Sequence, residues 1–344
     1  MLTIAYIGNG KSANRYHLPF VLKNPNFSVK TIYSPAATSP WEQIPGVNYV
    51  TDIEEIWRDA DIDLVVVCTP SNTHAEYARE ILNHGKNALV EKPFAETPDE
   101  ARELFALAKE RGLFLQCYQN RRFDSDFLTV QKVINSGVLG DLLEVESHYD
   151  YYRPEVPTTL VPKFSKNYSF LLGHGTHTVD QVIGFFGRPE SVRYDVRQLL
   201  GPGRLNDYFD LDFYYGVLKV SIKSSYFRIK ARPSFVVYGK KGMFIKDSMD
   251  RQEEHLKLSY LPGRPGFGVD LPEHYGTLTY FDDDGVYHEE KVVSEIGGYG
   301  RVYEGAYQSI VNGAPKVVSD DETIEQLIVL ETGIRLITKG NEDL

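Results

Sequence analysis

Three short stretches of this 344-residue chain carry residue types and spacings that could do chemistry. Gly8-Asn9-Gly10-Lys11-Ser12-Ala13 matches the pattern G-x-G-x-x-G/A. In that pattern Gly8 permits a tight turn, Gly10 leaves the backbone open to a pyrophosphate, and Ala13 lets helix and strand pack closely. A helix starting near Ser12, with Lys11 and Ser12 at its mouth as cofactor-binding candidates, would add free N–H groups and a positive dipole end toward the phosphates. The second stretch, Glu91-Lys92-Pro93, follows an apolar run, and ligands of open α/β sheets collect outside the carboxyl ends of strands. A lysine there can reach both a nicotinamide and a substrate hydroxyl, with Glu91 holding its ammonium; the same lysine is also what an ordinary strand-to-helix loop displays. The third stretch runs from Gly173 through His174, His177 and Asp180 to Gln181 and opens a helix ending near Phe186. His177 and Asp180, three residues apart, share a helix face. An imidazole with an ordinary pKa of about 6.5 beside a carboxylate suits the removal of a proton from an alcohol. The cluster could equally cap the helix, and His174, His177 and Asp180 are metal-ligand types, although their spacing fans them over a wide arc. No metal is expected.

These stretches need a frame that brings them to one place. Leu2 to Gly8 reads as a strand ending in glycine, and Ser12 to Leu22 is helix-compatible. A strand from Val29 to Tyr33 and a helix at 52–59 opened by the capping box Thr51-x-x-Glu54 follow. The continuous apolar run Leu64 to Cys68 is the signature of a parallel strand covered on both faces. The alternation continues with a helix at 73–84 closed by Gly85, a strand from Asn87 to Val90 and a helix from Pro98 to Arg111 closed by Gly112. Thr97 is its N-cap, Pro98 its first residue and Glu100 completes the box. A strand from Leu113 to Tyr118 ends the series. The texture then changes to a helix at 124–136 and period-2 strands at Leu143–Tyr152, Tyr208–Tyr215, Val217–Tyr226 and Ser234–Tyr238. A last helix at 321–338 opens with Ser319-x-x-Glu322. The expected fold class is α/β, an N-terminal Rossmann doubly wound parallel sheet over 1–119 and a C-terminal α+β domain on a mostly antiparallel open sheet over 120–344.

The residue after the second strand discriminates between nicotinamide cofactors, because an acidic side chain there binds the ribose 2′-hydroxyl of NAD. Here it is Ser34, within Tyr33-Ser34-Pro35-Ala36-Ala37-Thr38-Ser39. With no carboxylate to repel a 2′-phosphate and several hydroxyls able to donate to it, NADP is favoured over NAD. The chain has 37 Lys and Arg against 48 Asp and Glu, a net charge of −11, and no long basic run, which argues against nucleic acid and anionic membranes as partners. No apolar stretch approaches a spanning helix, and a cytoplasmic location is expected. The two cysteines, Cys68 and Cys117, lie in apolar runs and read as buried strand thiols.

With these residues on the page, the chain resembles the Gfo/Idh/MocA family of oxidoreductases over essentially its whole length. The resemblance is carried by Gly8-x-Gly10, Cys68-Thr69-Pro70-Ser71-Asn72-Thr73-His74, Glu91-Lys92-Pro93-Phe94, Tyr118 to Asp124, and Gly175-Thr176-His177-x-x-Asp180. The Gln119–Asp124 run, with Glu146–Pro154 and Tyr299–Tyr303, looks most like a bacterial subgroup that includes NADP-dependent scyllo-inositol dehydrogenase. The family implies hydride exchange between NAD(P) and a cyclitol or sugar carbinol, and a homodimer or homotetramer built through the second domain. It implies Lys92 and His177 as the catalytic pair, Lys92 orienting the substrate hydroxyl and His177 the general acid/base. Thr69, Pro70, Asn72, His74, Glu91 and Lys92 would line the cofactor, and Tyr118, Gln119, Arg122, Tyr152, Asp180 and Tyr299 the substrate cavity. One departure stands out: many family dehydrogenases have Asp four residues before the catalytic histidine, and this chain has Gly173.

Two other readings differ in class. A non-catalytic NAD(P)-sensing regulatory protein could share the fold, since fold does not fix function; the presence of both Lys92 and His177 favours catalysis. A sugar-phosphate or nucleotide-sugar enzyme would call for a basic cluster, for which Arg122, Arg153 and Lys163 are loose candidates.

Overall fold

A computed structural model describes residues 1–36, 38–154, 169–199 and 206–342, the side chains from 337 onward excepted. Lys163 lies outside the described residues. The chain divides into two units, one comprising 1–120, 253–267 and 298–327, the other 121–252, 268–297 and 328–344. The sequence pattern places a single break at 119/120; the chain instead leaves the first unit after 120 and returns to it twice. Burial accounts for the returns, because Leu256 and Tyr299 pack on Phe20, and Val318 and Leu327 join the core of the first sheet.

The first unit is a six-stranded parallel sheet of β1 (Leu2–Ile7), β2 (Phe27–Tyr33), β3 (Asn48–Val50), β4 (Leu64–Val67), β5 (Asn87–Val90) and β6 (Leu115–Cys117), in the order β3-β2-β1-β4-β5-β6. β4 is Leu-Val-Val-Val and buried throughout, as a central strand covered on both faces must be. Strand β1 pairs β2 on one edge and β4 on the other, so the strand order reverses there, and sheets of this kind bind ligands beyond the carboxyl ends of the strands at such a point. The helix expected from Ser12 to Leu22 forms as one continuous helical stretch over 11–21, whose middle, Ala13–His17, is a π turn and whose end is α1 (Leu18–Val21). Helices α2 (Glu54–Trp57), α3 (His74–Asn83) and α4 (Pro98–Arg111) complete the crossovers. At α4 both halves of the Thr97–Glu100 capping box form, and Gly112 closes the helix in the left-handed conformation. The box expected at Thr51 does not form: α2 begins two residues later, with the Asp52 carboxylate accepting from the Glu54 N–H at 3.0 Å.

In the second unit, α5 (Ser125–Asn135) precedes β7 (Leu142–His148), and α6 (Thr176–Phe186) precedes β8 (Ser191–Arg197), β9 (Tyr208–Tyr215) and β10 (Leu218–Ser225). Then come β11 (Phe235–Gly239), β12 (Gly242–Lys246), α7 (Gln252–Lys257), β13 (Gly276–Phe281) and β14 (Tyr287–Val292). The eight strands lie in the order β14-β13-β12-β11-β7-β10-β9-β8, antiparallel except for β7 against β10. Alternation sets the buried face: Phe209, Leu211 and Phe213 of β9 and Val220 and Ile222 of β10 join Phe127, Val130 and Val133 of α5 and Val179, Val182 and Ile183 of α6 in one core. α8 (Arg301–Asn312) belongs to the first unit. α9 (Asp320–Glu342), opened by the Ser319–Glu322 box, gives Leu327 to the first core and Val329 and Leu330 to the second. Cys68 and Cys117 are both buried thiols. Among the described residues no helix is long and apolar enough to cross a membrane.

Only one of the two N-terminal boxes exists, so the two threonines should behave differently. Thr97→Ala is expected to cost about 1 kcal/mol and Thr51→Ala close to nothing, read as the shift of the urea unfolding midpoint. Equal losses would contradict the assignment of the caps.

Candidate functional site

At the carboxyl end of β1, Gly8 adopts φ +112°, and a Cβ there would lie 2.7 Å from the carbonyl oxygen of Cys68 at the end of β4. Backbone conformation and close approach together exclude any other residue. Gly10 is different, for no atom lies within 4 Å of where its Cβ would be. The chain's own packing does not require a glycine there, and the open space is what a ligand approaching the backbone would use. Lys11 is exposed and Ser12 half-buried. The Ser12 hydroxyl donates to Oε1 of Glu91, so this side chain already serves the protein.

Two further turns converge on the same sheet end. The Thr69 and Thr73 hydroxyls meet at 2.7 Å, and Thr73 also donates to the Pro70 carbonyl, which leaves Thr69 as donor of the pair. Pro70 precedes, and Asn72 lies on, the short 3₁₀ turn Ser71–Thr73. His74 is buried with one ring nitrogen 2.9 Å from the Thr69 carbonyl and the other 2.7 Å from the Pro93 carbonyl. It therefore clamps the turn after β4 to Glu91-Lys92-Pro93 after β5, where the Lys92–Pro93 peptide is cis.

Glu91 is the electrostatic centre of this region. Burial alone would raise its pKa, but the His17 imidazole at 3.0 Å, the Lys92 charge and the Ser12 hydroxyl outweigh burial and hold it at about 2. Its other oxygen accepts from the Lys92 N–H at 3.0 Å. His17 was not among the residues singled out from the sequence. Fully buried, it stacks on Tyr118 at a ring separation of 3.9 Å and contacts the Tyr303 hydroxyl at 2.6 Å, which in turn meets the Tyr6 hydroxyl at 3.0 Å.

Beyond β2, Ser34 lines a cavity of about 60 Å³ with Asn9, Ser39, Trp41, Gln43 and Thr51, and among the described residues that line it none is charged. Of the residues expected in a substrate cavity, Tyr118 donates its hydroxyl to the Tyr16 carbonyl at 2.7 Å, and Gln119 donates to Gln326 at 3.2 Å. Tyr299 packs on Phe20 at a centroid distance of 5.7 Å. All three are buried within the first unit.

The second unit holds His177, in the first turn of α6. A narrow cavity of about 10 Å³, the size of a single water, is lined there by Arg121, Asp124, Asp126, His148, His177 and Gln181 among others. α6 is fixed against the segment before α5 by the Gln181 amide donating to the Arg121 carbonyl at 2.7 Å. A bidentate Arg122–Asp180 pair, both bonds 2.7 Å, adds to this. Gly184 makes room for that pair, since a Cβ would sit 2.8 Å from the guanidinium carbon. Arg122 and Asp180 are thus brought together, each neutralising the other. Tyr152, at 54% exposure, forms an isolated bridge with Phe227. His174 lies among the rings of Tyr149, Tyr151 and Phe170. Arg153 lies over the Tyr151 ring at 4.7 Å. Among the described residues no three His, Cys, Asp or Glu side chains are grouped as for a metal ion.

Asp126 carries the opposite perturbation to Glu91: burial, then the charge of Asp250, pushes it up to about 7. The folded protein keeps this proton to higher pH than the unfolded chain does, so the associated stability is complete below pH 4 and is lost as pH rises through about 7. The loss is on the order of 4 kcal/mol. Asp126→Asn should remove that decline, matching the parent below pH 4 and exceeding it above pH 7 in urea unfolding. Parallel pH profiles for the two proteins would refute it.

Comparison with known proteins agrees with this architecture. The model of the Gfo/Idh/MocA oxidoreductase family, NAD-binding Rossmann fold, matches residues 2–119, and that of the family's C-terminal alpha/beta domain matches 131–341. An uncharacterized oxidoreductase of Escherichia coli, YhhX, is 46% identical over 97% of this chain and 96% of its own. The scyllo-inositol 2-dehydrogenase (NADP(+)) IolW of Bacillus subtilis is 31% identical over 97% of this chain and 93% of its own. A crystal structure of the probable oxidoreductase yhhX superposes with a TM-score of 0.93 at 45% identity, covering 97% of both chains.

Proposed function

From the premise that the chain belongs to the Gfo/Idh/MocA oxidoreductase family, we propose that it is an NADP-preferring dehydrogenase of a cyclitol or sugar carbinol. The observation that carries this reading is the convergence of three turns, Gly8–Ser12, Thr69–His74 and Glu91–Pro93, at the carboxyl ends of β1, β4 and β5. A relative at 31% identity named as an NADP(+)-dependent scyllo-inositol dehydrogenase supports the substrate class and the cofactor together.

The open backbone at Gly10, next to the closed turn at Gly8, fits a dinucleotide pyrophosphate, with Lys11 supplying charge from the same turn. When bound, the nicotinamide supplies the acceptor or donor of a hydride. The uncharged Ser34 cavity, rich in hydroxyl and amide groups, suits a 2′-phosphate, since no carboxylate there opposes it. Thr69, Pro70, Asn72 and His74 shape the turn facing the cofactor, His74 by holding it to Pro93. Lys92 orients the substrate hydroxyl and shares in its proton transfer, and His177 is the general acid/base. Arg122 and Asp180 serve the substrate region as a strut that fixes the helix bearing His177. Tyr118, Gln119 and Tyr299 serve it from buried positions, and Tyr152 from an exposed one.

Titration with NADPH and NADH, followed by nicotinamide fluorescence, is expected to show saturation with NADPH at micromolar concentrations. Turnover on a panel of inositols and aldoses should fall by roughly 10²-fold or more in Lys92→Ala. Binding without turnover on any polyol would refute the dehydrogenase reading, and no binding of either nucleotide would refute the cofactor. Ser34→Asp should weaken NADPH on the order of tenfold while leaving NADH unchanged or tighter. An unchanged preference would place the discrimination elsewhere.

A further inference from the structure

Glu91 joins two pieces of backbone by three hydrogen bonds: its Oε1 takes the Ser12 hydroxyl and the His17 Nε2 from the helical stretch after the glycine turn, and its Oε2 takes the Lys92 N–H. A carboxylate only accepts, so the Nε2 edge of His17 donates. The Nδ1 edge is occupied by the Tyr303 hydroxyl, itself backed by Tyr6. His17, Tyr6 and Tyr303 are fully buried, so the chain of hydrogen bonds ends in the core and offers no path for a proton to solvent. Such a chain holds a group in place. The π turn that delivers His17 belongs to a class that recurs at functional sites.

We propose that His17 is a positioning residue: through Glu91 it keeps an ionised carboxylate against the Lys92 N–H and the Ser12 hydroxyl, registering the proton-transfer lysine to the dinucleotide turn. The inference rests on the proposed role of Lys92. The other titratable groups facing Glu91 do not replace His17, for Cys68 and Tyr118 are held neutral, their pKa values raised by burial first and the Glu91 charge second. Burial pushes Glu91 toward protonation, and of the groups that oppose it His17 contributes most. Removing the imidazole leaves burial to act against Lys92 and Ser12 alone, and the Glu91 titration moves up.

The test uses full-length protein labelled at the glutamate carboxyl carbon and the lysine amide nitrogen, observed by NMR without nucleotide. Glu91→Gln and Lys92→Ala identify the two resonances. In the parent, Glu91 should remain ionised down to pH 3. In His17→Leu, which keeps no donor, it should titrate at clearly higher pH than in the parent, and the Lys92 amide should follow the same curve. With NADP and the best polyol, kcat of His17→Leu should fall 10- to 100-fold at the acid end of the pH profile and recover as pH rises, with KM for NADP within 3-fold. Glu91→Gln should lose as much kcat at every pH, having no carboxyl to titrate. A pH-independent loss in His17→Leu, or a Glu91 that titrates there as in the parent, overturns the proposal. Should His17→Leu not fold, Tyr303→Phe, which removes one hydroxyl and no volume, must raise the Glu91 titration in the same direction or the proposal falls. If the parent turns over no polyol, the dehydrogenase reading fails on its own, while the two resonances still decide whether His17 governs Glu91 and Lys92.

Discussion

Burying a charged carboxylate costs several kcal/mol unless hydrogen bonds and opposite charge offset it, and the first unit is organised around one such group. Glu91 stands at the carboxyl end of β5, where doubly wound sheets bind ligands. The donors that offset its burial come from two segments: Ser12 and His17 from the helical stretch after the glycine turn, and the Lys92 N–H from the turn of Glu91 itself. A hydrophobic contact would tolerate sliding of these segments by a few tenths of an ångström. Charge-assisted hydrogen bonds of defined direction do not, so the desolvation of one side chain registers two segments that the sheet alone would only bring near each other. His74 repeats the device with backbone carbonyls in place of a charge.

The second unit meets the same cost in two ways. Arg122–Asp180 and Lys246–Asp270 are buried pairs of opposite charge, each with bonds of 2.7 to 2.8 Å. Asp126 has Asp250 as its neighbour, and burial with that like charge raises its pKa, whereas Glu91, equally buried, is depressed because its neighbours are His17 and Lys92. The sign of the perturbation follows the company each carboxyl keeps, not its depth.

Local chemistry was readable where a single segment contains its own cause. The all-buried strand β4, the boxes at Thr97 and Ser319 and the Gly8 turn each declare themselves within a few residues. The Thr51 box has the same letters as the Thr97 box and fails because Asp52 offers the competing turn. Distance in sequence hid the rest. His17 acquires its meaning from Glu91, 74 residues on, and from Tyr303, 286 residues on, and in the sequence it is one histidine in a helix-compatible run. The return of residues 253–267 and 298–327 to the first unit is equally silent, because an amphipathic pattern states that a face is buried without stating against what.

Gly173 stands where the family resemblance leads one to expect an aspartate, and its surroundings show what a side chain there would meet. Gly175, two residues on, is enforced by packing, as a Cβ would lie 2.7 Å from Leu171, and Gly184 is enforced by the Arg122 guanidinium. Gly173 has neither a positive φ nor any atom within 4 Å of a Cβ position. Sterics therefore do not exclude an aspartate there; the carboxylate is missing by composition. His174 beside it turns to the rings of Tyr149, Tyr151 and Phe170 and supplies no substitute acid. The carboxyls that share a cavity with His177 come from another element, Asp124 and Asp126 at the start of α5, with Arg121 and His148 beside them. In this chain the acidic partners of the histidine's cavity are thus supplied by the segment Arg121-Arg122-Phe123-Asp124-Ser125-Asp126, which the Arg122–Asp180 pair and the Gln181–Arg121 bond hold against the helix that carries His177.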